Sequence, residues 1–223
     1  ADLLFKPADR CYGYDEFREI NVMISGGKYP STRLRRTRRN IFSRNLVRET
    51  VLTVEDLVYP IFVVDGKKKL IPVDSMPGIH RISLDNLDGV ANECLKFGIP
   101  AIALFPSIDE KLKTDDGRES FNDQGLIARA VRLLKINYPE LGVITDAALD
   151  PYTTHGQDGL VDADGHILND ETVVVLEKQA ICCANAGADV IAPSDMMDGR
   201  ISKIGNALES SNLKNTLILS YAS

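Results

Sequence analysis

The segment LGVITDAALDPYTTHGQDG, residues 141–159, runs a short apolar stretch, Val143 and Ile144, straight into Asp146. Asp150, His155 and Asp158 follow it, spaced by Pro151, Gly156 and Gly159. Aspartate and glycine gather wherever a chain reverses, so one reading makes these residues turn formers. Carboxylates at the carboxyl end of a buried strand are costly unless they bind something, and the other reading makes them the rim of a ligand site. Oxygen donors without cysteine favour a hard ion such as Mg²⁺ over Zn²⁺.

On both sides of this segment the sequence repeats one theme. From Leu57 onward, short apolar runs at 57–64, 100–105, 142–148, 189–193 and 216–221 alternate with amphipathic ones at 83–97, 123–137, 171–186 and 200–210. Strands alternating with helical patterns of this length define βα units and a parallel sheet. Gly98, the Tyr138-Pro139 pair and Gly187 supply helix stops. Five strands do not close a (β/α)8 barrel, which needs eight units and about 250 residues. A doubly wound sheet fits the count, but no glycine-rich phosphate loop follows any strand. The fifth run also ends near Ser223 with no helix after it, and parallel sheets are buried on both faces. The pattern is that of a barrel represented by its first five strands.

Bulk composition narrows the function. The chain has 223 residues, 44% of them hydrophobic, enough for a sizeable core. A net charge of −6 and a pI near 5.2 argue against a general nucleic-acid binder. No apolar run approaches the roughly 20 residues of a membrane span, and no signal-peptide pattern opens the chain, so a soluble protein is expected. Cys11, Cys94, Cys182 and Cys183 form no C-x-x-C pair, and they read as reduced, packed thiols of an intracellular protein.

Residues 1–56 differ in kind. Pro7, Gly13, Gly26, Gly27 and Pro30 interrupt any long element, and seven arginines fall between Arg33 and Arg48. With eleven basic residues against eight acidic ones, this stretch is positive while the remainder carries −9. It reads as an arm whose arginines meet the acidic surface of a neighbouring subunit.

Two further motifs lie downstream. The acids Asp162, Asp164 and Glu171 around Gly165 suggest a calcium loop, but position one would be Leu160, and a tight β-hairpin accounts for the pattern better. Ser194-Asp195-Met-Met-Asp198-Gly-Arg200 follows the fourth strand and opens a helix. Ser194 or Asp195 is placed to cap that helix, while Ser194, at the carboxyl end of a parallel strand, is equally a candidate for touching substrate.

Six stretches, TRLRRTRRN, SRNLVRE, SMPGIHR, GIPAIALFP, ITDAALDPYTTHGQDG and APSDMMDGR, together resemble the porphobilinogen synthase (5-aminolevulinate dehydratase) family from about Tyr29 onward. The resemblance implies a (β/α)8 TIM barrel with an N-terminal arm that joins subunits into a homo-oligomer, usually an octamer. It implies condensation of two 5-aminolevulinate molecules to porphobilinogen in haem and chlorophyll synthesis, through Schiff bases on two lysines. Zinc-using members carry three cysteines where this chain has Ala148, Asp150 and Asp158, so the chain resembles the aspartate-type, magnesium-dependent branch. Asp150 and Asp158 are then the candidate metal residues, and Asp146 and Ser194 match positions lining the substrate pocket. That branch occurs in bacteria and plastids, leaving cytoplasm and a plastid-type organelle both open.

The family pattern after the fifth strand is Tyr, two small residues, then the first Schiff-base lysine, and the sequence reads Tyr221-Ala222-Ser223 at its end. Residues 1–223 alone are therefore expected to be inactive, since no other lysine ends a strand facing the pocket. A non-catalytic assembly module and a different Schiff-base lyase or aldolase on the same barrel are the competing readings.

Overall fold

The computed structural model describes residues 27–221; Pro7, Cys11, Gly13 and Gly26 lie outside that range. The chain divides into two compact units, one running to Val51 and one beginning at Leu52. In the first, a 3-10 turn at Leu34–Arg38 leads into helix α1 (Ile41–Leu46), where the Ser43 hydroxyl donates to the Asn40 carbonyl at 3.0 Å. The Arg33 guanidinium lies 4.6 Å from the centroid of the Tyr29 ring. Neither element buries a residue.

The second unit holds one open sheet of strands β1 (Val58–Val64), β2 (Leu70–Pro72), β3 (His80–Ser83), β4 (Ala101–Ser107), β5 (Gly142–Ala147), β6 (Val190–Pro193) and β7 (Leu217–Ile218). Their order is β2-β3-β1-β4-β5-β6-β7, and every neighbouring pair is parallel except β2 with β3. The helices are α2 (Leu87–Phe97), α3 (Leu126–Asn137), α4 (Asn169–Ala186) and α5 (Arg200–Ser210). An α/β fold dominated by a parallel sheet is thus established.

The five strands expected from sequence are all present, but the count of five is corrected to seven. β2 and β3 escape notice because each is only three or four residues long, and His80 and Arg81 break the apolar pattern. The fifth expected strand is shorter than its apolar run, pairing with β6 only at Leu217 and Ile218. The helix expected from Ser83 begins as a 3-10 turn at Leu84–Asn86 and becomes α-helical at Leu87.

All four helices cover one face of the sheet. Ile61, Val63, Ile102, Leu104, Val143 and Ile191 point into them and join one core with Leu87, Leu134, Leu176 and Ile204. The alternate residues Ala103, Ile144 and Ala192 form a second, small cluster on the opposite face, joined by Ala101, Phe105 and Val190. Phe62 and Phe105, paired in register, bring their ring centroids to 5.8 Å there. The doubly wound alternative fails on this point, because it requires helices on both faces.

At the amino ends of β5 and β6 the Lys135 ammonium donates to Asp189 Oδ2 at 2.9 Å and to the carbonyls of Pro139 and Leu141 at 3.0 and 3.2 Å. Asp189 Oδ2 also accepts from the Val143 N–H at 2.8 Å. This brace ties α3 to the start of two strands. Lys135→Met is expected to lower stability by about 1–2 kcal/mol, since it leaves a half-buried carboxylate and two carbonyls short of a donor; denaturant titration of the variant against the parent measures it.

Candidate functional site

Strand alternation decides where the acids point. Asp146 follows Ile144 by two residues and so shares its face, the one away from the helices. Its Oδ1 is buried and has no hydrogen-bond partner among the described residues. Burial pushes the Asp146 carboxyl up to about 6; the Ser194 hydroxyl beside it works downward, and the charges of Asp150 and Asp195 work upward.

Ser194 leaves the end of β6, where its N–H donates to the Ala147 carbonyl at 3.3 Å. The two residues expected to line a pocket are therefore neighbours across the carboxyl ends of β5 and β6. Tyr221, three residues past the end of β7, belongs to the same place: its pKa is raised by burial and then by the charge of Asp146.

Asp150 and Asp158 sit on the loop that follows β5, the first exposed and the second half-buried. Burial, followed by the charge of Asp158, raises the pKa of Asp150, while Lys113 lowers it. The loop itself is anchored, with Leu149 and Tyr152 buried and both Tyr152 and Thr153 donating backbone N–H groups to the Leu149 carbonyl at 2.9 and 3.0 Å. Thr153 Oγ1 closes the turn on the Gln157 carbonyl at 2.9 Å. Gly159 is needed for close approach, because a Cβ there would stand 2.8 Å from Ile167 Cγ2. His155 accepts the Gln157 N–H on Nδ1 at 3.2 Å, and its Nε2 is buried without a partner among the described residues.

Three functional-looking groups were not legible as such. The helix cap expected from Ser194 or Asp195 is not made, because α5 starts only after Gly199, which offers no side chain. Asp195 instead closes a turn in the preceding loop, Oδ1 accepting the Met197 N–H at 2.8 Å, and it is 1% exposed and faces Arg200 Nε at 3.2 Å across Oδ2. Burial carries its carboxyl up to about 6 against the opposing pull of the Met197 N–H and Arg200. Gln179, also 1% exposed, reaches the strand end from α4. Its only sequence signal is an amide inside the apolar stripe of Leu176, Ala180 and Cys183. Tyr221 was visible only as the tyrosine of the family pattern after the fifth strand, with no role attached to it.

Among the described residues, Asp162, Asp164 and His166 alone offer three donor atoms within 4.8 Å of one another. They form a surface hairpin: Val161 bridges Ile167, Gly165 has φ +85°, and Asp162 Oδ1 accepts the N–H groups of Asp164 and His166 at 2.9 Å each. Asp150 and Asp158 belong to no group of three at that spacing among the described residues.

A parallel α/β sheet with an acid-lined mouth at its strands' carboxyl ends defines the chain as an α/β protein with its candidate site where barrel and open-sheet enzymes bind substrate. Which one follows from its relatives. The family model for delta-aminolevulinic acid dehydratase matches residues 31–223, and the chain belongs to that family. It is 46% identical over 211 residues to the delta-aminolevulinic acid dehydratase of Bradyrhizobium diazoefficiens, covering 93% of this chain and 60% of the relative. Against the chloroplastic delta-aminolevulinic acid dehydratase 1 of Arabidopsis thaliana the identity is 45% over 194 residues, covering 86% of this chain and 44% of the relative. The crystal structure of the Toxoplasma gondii enzyme, in complex with the reaction product porphobilinogen, superposes with a TM-score of 0.80 at 44% identity, covering 85% of this chain and 54% of that one. The chain thus spans about half the length of the relatives it matches. No helix among the described residues is long and apolar enough to cross a membrane.

The raised pKa of Asp146 makes a signed stability prediction. A carboxyl whose folded pKa, about 6, exceeds the ordinary 3.8 costs the fold stability above pH 6 and nothing below 3.8. Asp146→Asn should therefore raise stability by roughly 2 kcal/mol at pH 7.5 and leave it unchanged near pH 3.5. Thermal melts of both proteins at the two pH values provide the check.

Proposed function

We propose that this chain forms the N-terminal arm and the first five barrel strands of an enzyme that condenses two 5-aminolevulinate molecules to porphobilinogen with loss of water. The observation that carries this reading is the placement of Asp146 and Ser194 side by side at the strands' carboxyl ends, on the face free of helices. The family match and the likeness to a product-bound structure support it. A parallel sheet with helices on one side only and an apolar opposite face, carrying Ala103, Ile144, Ala192, Phe105 and Val190, suits the inner wall of a closed (β/α)8 barrel.

In this reading Asp146 binds and orients substrate, and its carboxyl, near 6, can hold or release a proton close to neutral pH. Ser194 supplies a hydroxyl that both donates and accepts. The imine-forming amines belong to the part of the family pattern that follows Tyr221. Among the described residues, Lys96, Lys135, Lys178 and Lys203 ride on helices, Lys135 is held by Asp189, Lys178 lies 5.4 Å from the Phe121 ring centroid, and Lys113, on a loop and not a strand end, is paired with Glu110 at 2.7 Å. Residues 1–223 alone are expected to form no pyrrole from 5-aminolevulinate.

The donor set fits magnesium. Asp150 and Asp158 offer two carboxylates and no thiolate beside the mouth, and Mg²⁺ is satisfied by one or two carboxylates with water completing its shell. Bound there, it would supply positive charge beside the pocket. The arm, residues 1–56, fits the role of subunit contact: Leu34, Ile41, Phe42 and Leu46 are 65–81% exposed in a segment too short to be stable uncovered, and five arginines with Tyr29 and Leu34 line a groove of about 690 Å³. A homo-octamer joined through the arm is the assembly proposed. The compartment proposed is the cytoplasm or a plastid-type organelle.

In the full-length protein, Asp146→Ala should lower kcat/KM for porphobilinogen formation by about 10²-fold or more, and Ser194→Ala by about tenfold. Activity within about twofold of the parent in both variants would remove the basis for this site. The metal assignment has its own check. Mg²⁺ should raise the melting temperature of the parent, and Asp150→Asn with Asp158→Asn should abolish that rise, with Zn²⁺ giving none in either protein.

A further inference from the structure

The carboxyl end of β5 is held by a side chain where the sheet cannot hold it. In a parallel pair, alternate residues of a strand bond the same neighbour, with the N–H reaching one residue back and the carbonyl accepting from one residue ahead. The Gly142 N–H donates to the Pro100 carbonyl at 2.9 Å, which makes Gly142, Ile144 and Asp146 the β5 residues that bond β4. The register Ala103 opposite Ile144 and Leu104 opposite Thr145 then assigns the Asp146 carbonyl to the N–H of residue 106. Residue 106 is proline and has none.

Gln179 fills the gap. From α4 its amide Nε2 donates to the Asp146 carbonyl at 3.5 Å and to the Ala148 carbonyl at 3.3 Å, while Oε1 is buried with no partner among the described residues. On the opposite edge the Ser194 N–H holds the Ala147 carbonyl at 3.3 Å. Three successive carbonyls at the strand end are thereby fixed from both sides, and the peptide plane that carries the Asp146 side chain is fixed with them.

We infer that Gln179 is the positioning residue for Asp146, replacing the ladder bond that Pro106 denies and so setting the direction in which the Asp146 carboxylate meets substrate. An amide buried among Leu176, Ala180 and Cys183, with one of its own atoms unpaired among the described residues, is costly unless its other atom is needed. Leucine or methionine would pack there at lower cost. The inference rests on the reading of Asp146 as a substrate-binding group, and the test separates the two.

The full-length protein would be assayed for porphobilinogen formation as Gln179→Met, Gln179→Asn, Asp146→Asn and the double variant Gln179→Met with Pro106→Ala. Gln179→Met should lower kcat about ten- to hundredfold, with a smaller change in KM, and shift the acid limb of the pH–rate profile. Gln179→Asn, one methylene shorter and easier to accommodate, should lie between parent and Gln179→Met. Pro106→Ala restores a backbone N–H at the vacant ladder position and should recover part of the lost kcat, which a general packing defect would not allow. Should Gln179→Met fail to fold, the same kcat loss and pH shift in Gln179→Asn carry the test. Gln179 variants within about twofold of the parent, alongside a disabled Asp146→Asn, would overturn the positioning role and leave the site intact. An unimpaired Asp146→Asn would overturn both.

Discussion

A parallel sheet buried by helices on one side alone is the constraint from which the rest of this structure follows. Because strand side chains alternate, every strand must satisfy two different environments at once. β4, β5 and β6 send Ile102, Leu104, Val143 and Ile191 toward the helices, and Ala103, Ile144 and Ala192 the other way. The helix-facing set is large and branched and forms the core. The opposite set mixes Ala103 and Ala192 with the larger Ile144, and it is on that face, at the carboxyl ends, that the alternation delivers Asp146.

The two ends of the sheet are treated differently. At the amino ends, a charged pair between Lys135 and Asp189 is fully used, bonding the backbone that leads into β5. At the carboxyl ends, Asp146 retains an unpaired oxygen, Asp195 is buried beside Arg200, and two carboxyls are pushed up to about 6. Stability is concentrated at one end and chemical potential at the other. The loop after β5 is fastened by Leu149, Tyr152 and Thr153, so the acids it carries are held by buried neighbours.

Much of this was legible in the chain. The five apolar runs and four amphipathic ones marked the βα units, and Gly98 and Gly187, with φ +76° and +109°, end α2 and α4 where left-handed backbone was expected. Asp146 and Ser194 stood out because each follows an apolar run. β2 and β3 did not, since three or four residues with a histidine and an arginine among them carry no period. Gln179 was invisible for another reason: its role is defined by a proline 73 positions away in the chain.

Sequence by itself determined the class of fold, the strand and helix periods, the family resemblance and which residues are acidic at strand ends, because these depend on local pattern and on residue type. Tertiary structure alone decided which face each acid occupies relative to the helices, that Asp146 and Ser194 are neighbours, and that Gln179 stands in for a missing backbone donor. Those are matters of register and packing between segments distant in the chain. A hydrogen bond or a desolvation cost exists only once two such segments are brought together.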